Sequence, residues 1–150
     1  MNKNQISKLL SDIESKGYNA SIEELIDQNI ALKTEFSNNK FNQNIDTIFH
    51  ALSNQNNSCL IIESGLGSSV ETLSKIFLNI FSTHSDEDIL NLQKIRMSQN
   101  EINNVTYLST KNIFNNLKNK KFDLIFINDS NFSTNQKILQ NFSTINLINE

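Results

Sequence analysis

The stretch Cys59–Phe77, "CLIIESGLGSSVETLSKIF", decides how the rest of the chain is read. Four apolar residues, Cys59 to Ile62, run into Glu63 and Ser64, then Gly65 and Gly67, then a segment with apolar positions at Leu73, Ile76 and Phe77. A short, continuous apolar run bounded by turn signals fits a strand buried on both faces. Glycine after it lets the backbone take positive φ and lets N–H groups approach a ligand, and the N-terminus of the next helix favours an anion there. Strand, glycine turn and helix in that order make a candidate phosphate cradle. A Gly-x-Gly pair alone equally fits a tight turn into a packed helix. The lysine that would pair with β- and γ-phosphate is missing, and Val70 and Glu71 stand in its place.

Upstream the apolar period is helical. Ile6, Leu9, Leu10 and Ile13 form one stripe ended by Gly17. Ser21 with Glu24 reads as a capping box ahead of Ile22, Leu25, Ile26 and Ile30. Thr34 to Asn44 reads as a connecting loop, and Ile45, Ile48, Phe49 and Leu52 as a third stripe. Downstream, Leu73, Ile76, Phe77, Ile80 and Phe81 predict a single helix, and Ile89, Leu92 and Ile95 another. Val105 to Leu108 predicts a second strand and Leu124 to Ile127 a third, with a short helix at Ile113, Phe114 and Leu117 between them. Ser133 with Gln136 opens a last helix through Ile138, Leu139 and Phe142. Uniformly apolar strands alternating with helices predict an α/β fold. N-terminal helices (1–33) lead into a half-domain (34–150) with a small parallel sheet covered by helices on both faces.

Bulk properties exclude several function classes. A chain of 150 residues fits one domain with a real core. The net charge of -3, with 13 basic and 16 acidic residues and no basic run, argues against direct binding of duplex DNA. Cys59 has no partner for a disulfide, sits in an apolar run, and reads as a core residue in a reducing compartment. With only His50 and His84 besides, far apart in sequence, no metal site is expected. No run approaches ~18 apolar residues, so the expectation is a cytoplasmic protein without a membrane span.

A second stretch that could carry chemistry is Lys120–Ser133, "KKFDLIFINDSNFS". Its strand would deliver Asn128 and Asp129 at the sheet edge where ligands bind in open α/β folds. Such a pair suits water-mediated magnesium binding and water activation. Asp129 and Ser130 capping a turn is the plainer alternative.

From about Lys33 to Glu150 the chain resembles the first half of the AAA+ domain of DnaA, the bacterial replication initiator. "CLIIESGLGSSVETL" resembles its Walker A strand and loop, "NVTYLSTKNIF" the next strand and "FDLIFINDSNF" the Walker B strand. The resemblance implies a P-loop, AAA+-like three-layer fold that stops before the later strands. It also implies cofactor contacts at Gly65, Gly67, Ser68, Ser69, Thr72 and Asn128, with Asp129 as the catalytic acid. The departures imply a disabled cradle: Ser64 and Ser69 replace Walker glycines, Val70 the lysine, and Asn128 the first acid. No cofactor is then expected, although a weak ATP or ADP site stays open. The implied role is a protein-interaction module in replication initiation or its regulation. Its implied partners are a replication initiator, a replicative helicase or a second copy.

An alternative resemblance is to class I S-adenosylmethionine-dependent methyltransferases. "LIIESGLGSS" is similar to their E-x-G-x-G loop and "KFDLIFIND" to their fourth strand. This implies S-adenosylmethionine as cofactor, with the glycines near its methionine part. It also implies an acid for the ribose hydroxyls at the end of the second strand, somewhere around "FSTHSDED". The two readings differ in geometry. The AAA+ reading expects Asn128 and Asp129 to face the Gly65 turn with Glu71 intruding. The methyltransferase reading expects open space above the glycines.

Overall fold

A computed structural model describes residues 1–37, 57–128 and 132–143. Three helices come first: α1 (Lys3–Lys16), α2 (Tyr18–Gln28) and α3 (Leu32–Ser37). Then follow β1 (Ser58–Ile62), α4 (Ser68–Ser74), β2 (Asn79–His84) and α5 (Glu87–Gln99). β3 (Val105–Ser109), α6 (Ile113–Asn116), β4 (Leu124–Ile127) and α7 (Phe132–Phe142) complete the order.

The four strands make one parallel sheet in the order β3-β2-β1-β4. In β1 the residues Cys59 to Ile62 are at most 1% exposed. Alternation along the strand explains why the run is apolar throughout: each face has its own helical cover. Cys59 and Ile61 pack with Val70 and Leu73 of α4 and Met97 of α5. Leu60 and Ile62 pack with Ile113 and Leu117 at α6 and Ile138 and Phe142 of α7. Burying each such side chain contributes about 1.5–3 kcal/mol. The Asp123 carboxylate ties β4 to β1 at their start, accepting from the Asn57 and Ser58 N–H groups at 3.0 and 3.1 Å.

The chain steps outward from β1 to β2 to β3, then crosses to the far side of β1 to make β4. Helices after β1 and β2 lie on one face, and those after β3 and β4 on the other. This is the first part of the doubly wound 3-2-1-4-5-6 order, and its direction reverses between β1 and β4.

Several expectations change, among them that for Ile30, which lies past the end of α2 and is 74% exposed rather than on its apolar face. Ile80 and Phe81 do not continue the helix of Leu73: α4 ends at Ser74 and a new strand, β2, begins at Asn79. Their helical spacing was accidental, because Ile80 is drawn into the sheet beside Cys59. Ser21 is no cap either. Gly17, at φ 87°, turns directly from α1 into α2, and the buried Ser21 hydroxyl donates to Gly17 O at 2.7 Å. Finally, the expected loop from Thr34 begins inside α3. The remainder of that loop, the stripe at 45–52 and His50 lie outside the described residues.

The N-terminal helices use their apolar stripe to cover α5. Ile6, Leu9 and Ile22 pack with Ile89 and Leu92, and with Leu66 of the glycine turn. α5 therefore has two buried sides, one toward the sheet and one toward α1 and α2. No helix among the described residues is long and apolar enough to cross a membrane.

Candidate functional site

The glycine turn leaves β1 through Glu63 and Ser64. Gly65 has φ 60° and Gly67 φ 102°, values an L side chain rarely adopts. The two glycines face different surroundings. Among the described residues, a Cβ at Gly65 would meet nothing within 4 Å, so they leave its outer side open. A Cβ at Gly67 would come within 3.2 Å of Gln93 Cγ and 3.3 Å of Met97 Cε, so this glycine lets α5 approach.

Beneath the turn lies a buried polar network that the sequence reading missed. Gln93 Nε2 donates to Ser64 Oγ at 2.7 Å and to Gly65 O at 2.6 Å. Gln93 Oε1 accepts from Ser82 Oγ at 2.7 Å, and Ser64 Oγ donates to Thr83 O at 3.1 Å. Gln93, Ser82 and Thr83 are fully buried, and this mutual satisfaction is what makes their burial tolerable. Arg96, 1% exposed, makes the second half of the support. Its Nε donates to Glu71 Oε2 at 3.1 Å, Nη1 to Leu66 O at 3.1 Å and Nη2 to Glu35 O at 3.2 Å. Its guanidinium lies 5.1 Å from the Phe36 ring centre. Burial pushes the nearby Tyr18 hydroxyl up from its ordinary range; Arg96 opposes the shift and Glu71 adds to it.

Glu71 thus does not intrude on a phosphate position, as the AAA+ reading expected. It pairs with Arg96 on the inner side of the turn. The first turn of α4, where a P-loop would take phosphate, meets a carboxylate instead: Ser68 Oγ donates to Glu35 Oε1 at 3.0 Å. A negative charge there repels a triphosphate.

At the ends of β1 and β2 two titratable side chains meet. Glu63 is a non-glycine residue at φ 52°. Its Oε2 accepts from Ser85 Oγ at 3.1 Å and lies 3.4 Å from His84 Nε2. His84 Nδ1 accepts the Asp86 N–H at 2.9 Å. That bond puts the proton of a neutral ring on Nε2, toward Glu63.

Of the other predicted site residues, Ser69 and Thr72 are buried, at 7% and 1% exposure. Asn128 is exposed at the end of β4, and its N–H donates to Ile62 O at 3.0 Å, beside the reversal between β1 and β4. Asp129 lies outside the described residues. Glu63, Gln93 and Arg96 were not among the candidates, and His84 entered only as a metal ligand that the sequence spacing argued against. His84 would have been found had Asn79–His84 been recognised as a strand, because its last residue must then stand beside the glycine turn.

No family model matches the chain, and no curated protein matches it. Solved structures do. An S-adenosylmethionine-dependent methyltransferase from Clostridium acetobutylicum aligns with a TM-score of 0.51 at 18% identity, over 74% of this chain and 44% of that one. A protein from Methanobacterium thermoautotrophicum described as precorrin 8W decarboxylase aligns with a TM-score of 0.51 at 14% identity, over 64% and 53% of the two chains. The chain spans about half the length of these two structures. At such identities the likeness concerns the fold, an α/β fold with an all-parallel sheet. It overturns the resemblance to DnaA: one of these neighbours is described as a methyltransferase and neither as an AAA+ protein. The P-loop assignment, the replication role and a disabled ATP site fall with it, and the partners that resemblance implied have nothing else behind them.

Proposed function

We propose that the chain is the cofactor-binding part of a class I S-adenosylmethionine-dependent methyltransferase-type domain. The observation that carries this reading is the β3-β2-β1-β4 order with a glycine turn closing β1, its outer side left open at Gly65 by the described residues. Ligands of doubly wound sheets bind outside the carboxyl ends of the strands, where the winding reverses. Here that place lies between Glu63 and Gly65 after β1 and Asn128 after β4.

The electrostatics support the same ligand over a nucleotide triphosphate. Glu35 and Glu63 stand at the turn, while Arg96 is committed to Glu71 and two carbonyls. Carboxylates suit a ligand with a sulfonium, an ammonium and sugar hydroxyls, and oppose polyphosphate. In methyl transfer the acceptor's lone pair attacks the sulfonium methyl, and the broken C–S bond leaves its electrons on sulfur. The protein's main contribution is to hold the two reactants in line. Gly65 and Gly67 would carry the methionine part by their backbone, and Asn128 would border the cleft. A single buried thiol, Cys59, fits the reducing cytoplasm.

Thermal unfolding with S-adenosylmethionine, S-adenosylhomocysteine, ATP–magnesium and ADP added separately tests the reading. A ligand at about 100 times its dissociation constant adds about 2.7 kcal/mol. Stabilisation by the two S-adenosyl compounds and by neither nucleotide is expected. A shift with ATP or ADP alone, or with none of the four, overturns the proposal.

A further inference from the structure

In a doubly wound nucleotide fold the acid that holds the ribose hydroxyls stands about 20 residues past the glycine turn, at the end of β2. In this chain that position is His84. The acids just beyond are engaged elsewhere: Asp86 caps α5, accepting from the Asp88 N–H at 2.9 Å, and Asp88 is met by Ser7 Oγ at 3.4 Å. Glu87 is exposed in the first turn of α5. A carboxylate nevertheless reaches the place, from the neighbouring strand.

We propose that Glu63, held by His84 and Ser85, is the carboxylate that binds the sugar hydroxyls of a nucleoside ligand. The role has moved from β2 to β1. This rests on the cofactor reading above. Both holding groups, Ser85 Oγ and His84 Nε2, approach the same oxygen, Oε2. No described residue bonds Oε1, which is left to accept from a ligand. The Asp86 N–H fixes the His84 ring so that it donates rather than competes as an acceptor. The side chains of Glu63 and His84 are 22% and 17% exposed. That is enough shielding to strengthen a charge-assisted hydrogen bond and enough opening to admit a hydroxyl. Glu63 also has left-handed backbone, two residues before Gly65, a strained conformation that turns concentrate at binding sites. The chemistry specifies a free ribose: a 2′-phosphate would meet the carboxylate and be rejected.

Calorimetric titration of the full chain tests this with S-adenosylhomocysteine and its 2′,3′-dideoxy analogue. The wild type should bind the analogue about tenfold or more weakly than the hydroxylated compound, as expected for loss of a charge-assisted bond. Glu63→Gln should lose affinity for S-adenosylhomocysteine by the same factor and bind both compounds alike. His84→Ala, which frees the carboxylate to rotate, should give a smaller loss. Thermal melts establish that the variants fold. If Glu63→Gln does not, Glu63→Asn, whose side chain suits left-handed backbone, carries the test. A Glu63 variant that still discriminates between the compounds overturns this inference alone. A wild type that binds neither compound overturns the cofactor reading with it.

Discussion

The two faces of the sheet bury their interiors with different chemistry. On the side of α6 and α7 the core is hydrocarbon and ring: Phe122 meets Phe81 and Phe142 edge-on, with centroids 5.2 and 6.2 Å apart. On the side of α4 and α5, the apolar cluster around Val70 and Leu73 gives way, near the glycine turn, to Gln93, Ser82, Ser64 and Arg96, all buried and bonded. Apolar packing is tolerant in direction, whereas hydrogen bonds hold a backbone in one geometry. The first face supplies stability, and the second also holds the glycine turn in one shape.

The sharpest way to break this comparison is one large deletion on each face. Arg96→Leu leaves Glu71 and two carbonyls without their partner and should cost about 3–5 kcal/mol in urea denaturation, as broken buried pairs do. Phe122→Ala should cost a similar amount, about 3–5 kcal/mol, by opening a cavity. The two differ in consequence. At temperatures where both variants remain folded, Arg96→Leu should also lose its stabilisation by S-adenosylhomocysteine, while Phe122→Ala keeps it. Equal ligand responses would refute the division between the faces.

A milder change sharpens the same point. Gln93→Leu preserves size but strands the Gly65 carbonyl and removes one hydrogen bond each from Ser64 and Ser82, and should cost about 1–3 kcal/mol. Alanine scanning of the turn then separates its glycines. Gly65→Ala meets only the left-handed penalty, about 1–2 kcal/mol. Gly67→Ala should cost more, because its Cβ crowds Gln93 and Met97. If the Gly65 variant proved the less stable, the open side would be wrongly placed.

The smallest effect concerns pH. Burial pushes the Tyr107 hydroxyl up to about 12 from its ordinary 10.0, with Lys94 Nζ 5.7 Å from the ring centre. Because the folded value is the higher one, this contribution is complete below pH 10 and is lost as pH rises toward about 12. Ultraviolet titration should show both Tyr107 and Tyr18 ionising later in the native protein than in urea. Coincident curves would count against their burial.

Parts of this architecture were legible in the residues. Cys59–Ile62 and Leu124–Ile127 are apolar at every position, Val105–Leu108 is β-prone though interrupted by Thr106, and each became a parallel strand within a residue or two. Gly17 ended the first helix as expected. The segment Leu73–Phe81 misled, since its spacing satisfies a helix throughout and contains no glycine or proline to mark the break. α5 misled in another way. A stripe at Ile89, Leu92 and Ile95 pointed to one buried side, yet Gln93 and Arg96 are buried on another.

Sequence alone thus determined the local elements whose burial pattern repeats along the chain: the strand before the glycine turn, the turn itself, and the amphipathic helices α1 and α2. Periodicity records how much of a segment is covered, not by what. Only the tertiary structure decided the strand order, which makes Asn79–His84 the neighbour of β1. It alone brought Glu63 to His84, and Arg96 to Glu71 and Glu35. Such contacts join residues 21 to 61 positions apart, and their energy exists only once the sheet has placed them together.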